Sequence, residues 1–128
     1  MEEKSRYELD LSIVIASFNC ESFVERIALG FVEYLPQTDY QYELIFVDNN
    51  SSDSTIDKID SLSKKYPFIR GLSEPKQGLS YARNKGIQEA KGQFIFILDG
   101  NKIPFKNLVN NIMKSFLVTP RPLAIGGR

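Results

Sequence analysis

Two runs leave this chain little choice of fold: Leu44-Ile45-Phe46-Val47-Asp48 and Phe94-Ile95-Phe96-Ile97-Leu98-Asp99. Both are apolar throughout, rich in β-branched and aromatic side chains, and closed by an aspartate. A strand without polar alternation is covered on both faces, the condition of a parallel sheet held between helices. A carboxylate on its last residue stands at the carboxyl edge of the sheet, where open α/β folds bind ligands.

The rest of the chain supplies the covering layers. Residues 1–10 form a charged N-terminal tail, and Leu11 to Ser17 reads as another buried strand. Asn19 stands where a helix N-cap belongs, and Phe23, Val24, Ile27, Phe31 and Leu35 recur at helical spacing up to Pro36. Past the strand at 42–48 and the polar run 49–54, Ile56, Ile59 and Leu62 mark a second helix, ending before Pro67. A short strand over 68–72 leads through Pro75, Gln77 and Gly78 into a helix over 79–91, with Gly92 as its C-terminal cap. After the strand at 93–99, the apolar stripe from Phe105 to Leu117 reads as core helix, stopped by Pro120. A fifth short strand is expected at 123–125. This alternation predicts right-handed βαβ crossovers and a three-layer α/β/α sandwich around a mostly parallel sheet.

Composition narrows the chemistry. The 128 residues suffice for one domain with a real core. Sixteen basic residues balance sixteen acidic ones, so no global field favours nucleic acid as a partner. With Cys20 alone, no internal disulfide forms, and a cytoplasmic location, or one peripheral to the inner face of a membrane, is expected. No apolar run approaches the roughly 20 residues of a transmembrane segment. The chain has no histidine, which removes Ser-His-Asp and Cys-His nucleophilic schemes and imidazole-bound zinc together. Carboxylates, amides, hydroxyls, Lys and Arg are left to carry any chemistry.

Several α/β sites fail on their residues. Ala16-Ser17-Phe18-Asn19, after the first strand, has no glycine to admit a dinucleotide pyrophosphate, and no GxxxxGK[ST] loop is present. A response-regulator receiver would need an acidic pair after the first strand and a lysine after the last; neither is there. Arg83 falls within the apolar stripe Leu79, Ala82, Gly86, Ile87 and Ala90, and a guanidinium on a buried face needs a partner. A strand-end carboxylate or backbone carbonyls near the cleft would serve, in a structural or a phosphate-facing role. Asn84 is a polar group beside it. Lys76, in the preceding loop, is either a solvated lysine or one reaching a diphosphate.

Four segments in order then carry a resemblance. Ile13-Val14-Ile15-Ala16-Ser17-Phe18-Asn19 is similar to the opening strand of family-2 glycosyltransferases. Val47-Asp48-Asn49-Asn50-Ser51-Ser52-Asp53-Ser54-Thr55 resembles their VDDGSxDxT segment, and Gly78-Leu79-Ser80-Tyr81-Ala82-Arg83-Asn84-Lys85-Gly86-Ile87 their G-L-x-x-A-R-N-x-G-I helix start. Leu98-Asp99-Gly100-Asn101 stands at their metal-binding DxD. The resemblance runs from Leu11 to Arg128 and implies a GT-A, Rossmann-like fold that binds a nucleotide-diphospho-sugar, a uridine one rather than a guanosine one.

The resemblance also implies roles. Asp48 would accept a hydrogen bond from the base edge, and Ala16, Ser17, Phe18 and Asn19 would line base and ribose, with Phe18 lacking the usual tyrosine hydroxyl. Lys76 would reach the diphosphate, Arg83 would face a phosphate or serve structurally, and Asn84 would be a polar group beside the nucleotide-sugar. Asn50, Ser51 and Ser52 would serve as turn and capping residues first and as contacts to it second. Asp99, Gly100 and Asn101 would meet the ribose or a divalent Mn²⁺ or Mg²⁺, held by Asp99 and Asn101. Asparagine in place of the second aspartate offers no charge, so that ion would be weakly held. Lys102 follows directly and would partly substitute for it.

Family members carry their general base after the Gly-Gly-Arg segment, here Gly126-Gly127-Arg128. Residues 11–128 are therefore expected to be a nucleotide-sugar-binding domain that stops before the acceptor-binding half, with no catalytic residue assigned and the acceptor unknown. The alternative is a non-catalytic nucleotide-sugar-binding or interaction module on the same scaffold.

Overall fold

The computed structural model describes residues 8–34, 38–99, 104, 107–118 and 124–126. The elements alternate as expected: β1 (Leu9–Ser17), α1 (Glu21–Tyr34), β2 (Tyr42–Asp48), α2 (Thr55–Lys65), β3 (Ile69–Ser73), α3 (Leu79–Glu89), β4 (Gly92–Asp99), α4 (Leu108–Val118) and β5 (Ala124–Gly126). All strand pairs are parallel, and the order across the sheet is β3-β2-β1-β4-β5. The chain winds outward from β1 to β3, then crosses back to lay β4 on the other side of β1. The order thus reverses between β1 and β4, and the crevice above such a switch point is where this class of sheet binds ligands.

Strand alternation sorts the core into two unequal parts. Leu11, Ile13 and Ile15 of β1, with Leu44, Phe46, Phe96 and Leu98, pack against α1, α2 and α4. Val14, Ala16, Ile45 and Val47 face the other way and meet Ala82 of α3, the one helix on that side among the described residues. A Cβ on Gly86 would lie 2.3 Å from Val14 Cγ1, so α3 reaches β1 only because that position has no side chain. Each fully buried Ile, Leu or Phe in these layers stabilises the fold by roughly 1.5–3 kcal/mol.

Several expectations need correction. Gly92 is the first residue of β4, not a helix cap: α3 ends at Glu89, and Ala90 follows in extended conformation. Glycine is required there because a Cβ would sit 2.5 Å from both Leu11 C and Ser12 N. The buried stripe of α3 is narrower than its sequence suggests. Ala82 and Gly86 are buried, but Leu79 and Ile87 are exposed, because α3 lies over β1 and β2 and leaves β4 partly open. Leu117 likewise faces solvent, not the core. Asn19 is not the N-cap of α1; the helix begins at Glu21, and the carbonyl of Cys20 accepts the first helical amides. Expectations at residues 1–7, Leu35, Pro36, Phe105, Pro120, Leu123, Gly127 and Arg128 fall outside the described residues.

A buried carboxylate fixes the opposite, amino-terminal end of the sheet. Glu43 accepts from the Ser12 hydroxyl (2.6 Å), the Lys91 amide (2.8 Å) and the Arg70 guanidinium (3.0 Å). Arg70 also donates to the carbonyl of Glu89 at 2.7 Å. The network ties β1, β2 and β3 to the end of α3 and is far from the strand ends that carry Asp48 and Asp99.

Candidate functional site

At the carboxyl edge, the loops after β1 and β2 lock into each other. Ser51 Oγ accepts from the Asn19 amide (3.0 Å), and the Ser52 amide donates back to Asn19 Oδ1 (2.9 Å). The Cys20 amide donates to the Thr55 hydroxyl (3.0 Å), and the Glu21 amide points at Asp53 Oδ2 (3.4 Å). The start of α1 is thus capped from the α2 side. Burial is the largest single influence on the Asp53 carboxylate and raises its pKa, but hydrogen bonds from the Thr55 hydroxyl and amide, the Glu21 amide and its own amide together outweigh it and hold the pKa below the usual value. Burial, its largest influence, pushes the Cys20 thiol up, so Cys20 is a packed side chain and not a nucleophile. Asn19 and Asn50 take left-handed backbone conformations (φ 46° and 60°), which asparagine tolerates better than most residues.

Asp48 closes β2 with 5% of its surface exposed. One carboxylate oxygen receives a long hydrogen bond from the Ser51 amide (3.4 Å); the other, Oδ1, is buried without any partner. An acceptor on a buried carboxylate with no partner in the protein is costly, which singles Asp48 out among the strand-end residues. Beside it, Asn49 is 3% exposed and fully engaged. Its amide nitrogen donates to the carbonyls of Glu74 (3.1 Å) and Lys76 (2.8 Å), and its Oδ1 accepts from the Gly78 amide (2.9 Å). A hollow of about 210 Å³ opens here, lined by Phe18, Asn49, Gln77, Gly78 and Leu79. Phe18 presents an exposed ring to it.

On the other side of β1, Arg83 Nη2 of α3 pairs with Asp99 Oδ1 at the end of β4 (3.1 Å), each side chain about a third exposed (39% and 34%). The guanidinium Nε is buried and unpartnered. Register places Ser17 opposite Asp48 and Ala16 opposite Asp99, so β1 separates the backbones of the two aspartates by about two strand spacings, ~10 Å. Alternation turns Asp48 toward the α1–α2 face and Asp99 toward α3. The two therefore do not form a paired dyad.

The predicted residues thus divide. Phe18, Asp48, Arg83 and Asp99 border the switch-point edge, with Ala16 and Ser17 buried beneath it. Ser17 Oγ is spent on the Ile15 carbonyl (3.2 Å), and Asn19 on joining the two loops. The Asn50 carbonyl accepts from the Gln77 side chain (3.2 Å). Lys76 is solvent-exposed, its ammonium 4.3 Å from the centre of the Tyr81 ring. Asn84 is exposed on α3. Gly100, Asn101 and Lys102 lie outside the described residues. Asn49, Gln77 and Leu79 were not foreseen as site residues. For Asn49 the available signal was its position beside Asp48, within the second of the four segments.

Among the described residues no three His, Cys, Asp or Glu side chains come together as a metal cage. Asp99, half engaged by Arg83, has one carboxylate oxygen left. That fits a hard divalent ion which keeps waters and takes most of its ligands from a bound diphosphate, and does not fit an ion held by protein alone. A larger hollow of about 400 Å³ lies between α1 and α2, bordered by Glu25, Leu29, Lys58 and Lys65. No strand-end residue reaches it. No helix of the described residues is long and apolar enough to cross a membrane.

Comparison with known proteins matches residues 12–128 to the family described as Glycosyl transferase family 2. The cholesterol galactosyltransferase of Borreliella burgdorferi is 30% identical over 95 residues, covering 74% of this chain and 26% of that protein. A dolichyl N-acetyl-α-D-glucosaminyl phosphate 3-β-D-2,3-diacetamido-2,3-dideoxy-β-D-glucuronosyltransferase from Methanococcus voltae is 30% identical over 109 residues, 83% of this chain and 33% of that protein. The chain therefore spans between a quarter and a third of these relatives. Among solved structures, the mannosyltransferase PcManGT of Pyrobaculum calidifontis, in complex with GDP-Man and Mn²⁺, superposes with a TM-score of 0.71 at 20% identity, over 90% of this chain and 34% of that one. TarS of S. aureus in complex with UDP gives 0.67 at 18% identity, over 83% and 31%. These likenesses establish the shared GT-A fold.

Proposed function

Because the chain belongs to glycosyl transferase family 2, we propose that it is the donor-binding part of a glycosyltransferase and takes a nucleotide-diphospho-sugar across the ends of β1, β2 and β4. The observation that carries this reading is the buried, unpartnered Asp48 Oδ1 at the end of β2, next in the chain to Asn49, which lines the hollow at Phe18. A uracil ring supplies what that oxygen lacks, an imide N–H, and a charged acceptor makes the hydrogen bond a strong one. Phe18 packs on the base, and a uridine donor is proposed over a guanosine one. The ligands in two solved structures of the same fold, UDP in TarS and GDP-Man with Mn²⁺ in PcManGT, support a donor of this class.

From the base, the ligand runs over β1 toward Asp99, and the two intervening strand spacings leave room for base at one end and diphosphate at the other. Arg83, with its free Nε–H, faces the diphosphate, and Lys76 approaches it from the loop before α3. Asp99 and Asn101 would hold a divalent ion with the donor's own phosphates, and that ion would supply Lewis-acid stabilisation of the leaving diphosphate. Asp99 is oriented for this by Arg83. The chain matches 26% and 33% of the length of the two named relatives, and neither an acceptor site nor a general base is assigned to its residues. The single buried cysteine supports a cytoplasmic setting.

Titration of the chain with UDP, with and without Mn²⁺, tests the reading. Binding is expected in the wild type, and Asp48→Ala should weaken it about tenfold or more, ~1.4 kcal/mol. Absence of UDP binding, or equal affinity in the variant, would refute it.

A further inference from the structure

We infer that Asn49 is a positioning residue that sets base selectivity at this site by clamping the 74–78 loop; the inference rests on the donor-site reading. The hollow that Asn49 lines has Phe18 on one side, while Gln77, Gly78 and Leu79 on the other belong to the loop and its continuation into α3. Asn49 is what joins that side to β2. Its one carboxamide makes two donor bonds, to the Glu74 and Lys76 carbonyls, and one acceptor bond, from the Gly78 amide, spanning the whole turn. The adjacent backbone adds the Glu74 amide to the Asp48 carbonyl (2.8 Å).

In this chain a carboxamide matches the set, where the family's VDDGSxDxT segment has an aspartate. The two carbonyls demand donors and the Gly78 amide demands an acceptor, which also fixes which way the Asn49 amide is turned. An aspartate of the same shape would keep the Gly78 bond and turn a negative oxygen toward two carbonyls. Gly78 cannot adjust by changing residue: its φ of +139° is strained for any side chain, and a Cβ would meet the Tyr81 ring at 2.9 Å. The clamp also brings Gln77 into place, its side chain spanning to the Asn50 carbonyl across the rim. Asn49 touches the loop's backbone and shapes the wall a base would meet, so its removal should loosen the choice of base more than the grip on the diphosphate.

The test titrates wild-type, Asn49→Asp and Asn49→Ala chains with UDP, GDP and inorganic pyrophosphate, with hydrogen exchange read at the Gly78 amide and circular dichroism as the check on folding. Both variants should lower the ratio of UDP to GDP affinity about tenfold, the scale of one or two lost buried hydrogen bonds. Pyrophosphate binding should be unchanged, and the Gly78 amide should exchange faster in Asn49→Ala. An unchanged nucleotide ratio in a folded variant overturns the inference, as does a parallel loss of pyrophosphate binding or failure of both variants to fold. If UDP binding is lost in Asp48→Ala while Asn49→Asp keeps wild-type selectivity, this inference falls and the donor site stands. If the wild type binds no nucleotide, both fall.

Discussion

Arg83 of α3 and Asp99 at the end of β4 form an ion pair of 3.1 Å across the open side of the sheet, and the guanidinium Nε is left buried with no acceptor. On the proposed reading, the part of the guanidinium not turned to Asp99 is offered to the diphosphate.

Arg83→Met should therefore reduce affinity for UDP by about tenfold, the worth of a charge-assisted hydrogen bond. Stability should fall by less than about 1 kcal/mol, because both partners are a third exposed. Calorimetric titration and urea unfolding of the same variant separate the two effects. A large loss of stability with unchanged affinity would make the pair purely structural.

Glu43 gives the contrasting case. It is buried at the far end of the sheet, with hydrogen bonds from Ser12, Arg70 and the Lys91 amide. Glu43→Ala leaves three donors and the Arg70 charge without their acceptor, so a cost of about 3 kcal/mol is expected. UDP affinity of the folded fraction should be unchanged. Urea midpoints with and without nucleotide measure both.

Asp53 predicts a pH dependence. Its folded pKa is depressed, so the hydrogen bonds it accepts from Thr55 and Glu21 contribute stability above its ordinary value of 3.8. That contribution is lost as pH falls below 3.8 toward the folded pKa. Wild type should lose urea resistance over this window more steeply than Asp53→Asn, which has no such carboxylate to protonate. Parallel curves for the two would exclude the role.

Much of this fold is legible in the sequence because buried parallel strands write themselves as unbroken apolar runs: β1, β2 and β4 end where Ser17, Asp48 and Asp99 end them. Helix faces are harder. Leu79 and Ile87 continue the apolar stripe of Ala82 and Gly86 in sequence, yet α3 is placed over β1 and β2, so the stripe's edge stays open. Gly92 carries the same letter as a helix cap, and only the nearness of the Leu11 and Ser12 backbone distinguishes the two uses. At the site, Asp48 and Arg83 announce themselves by charge at a strand end and charge on a helix face. Asn49 does not, because its partners lie 25 to 29 residues away and are backbone groups, which any sequence supplies.

The central claim is that Asp48 Oδ1 accepts the imide N–H of a uracil ring, and comparison of UDP with its N3-methyl analogue tests it directly. Methylation removes the one donor while leaving ribose and diphosphate intact. The account predicts that the wild-type chain binds the methylated ligand about tenfold more weakly, and that Asp48→Ala binds both ligands alike. Equal affinity of the wild type for UDP and its N3-methyl form would contradict it.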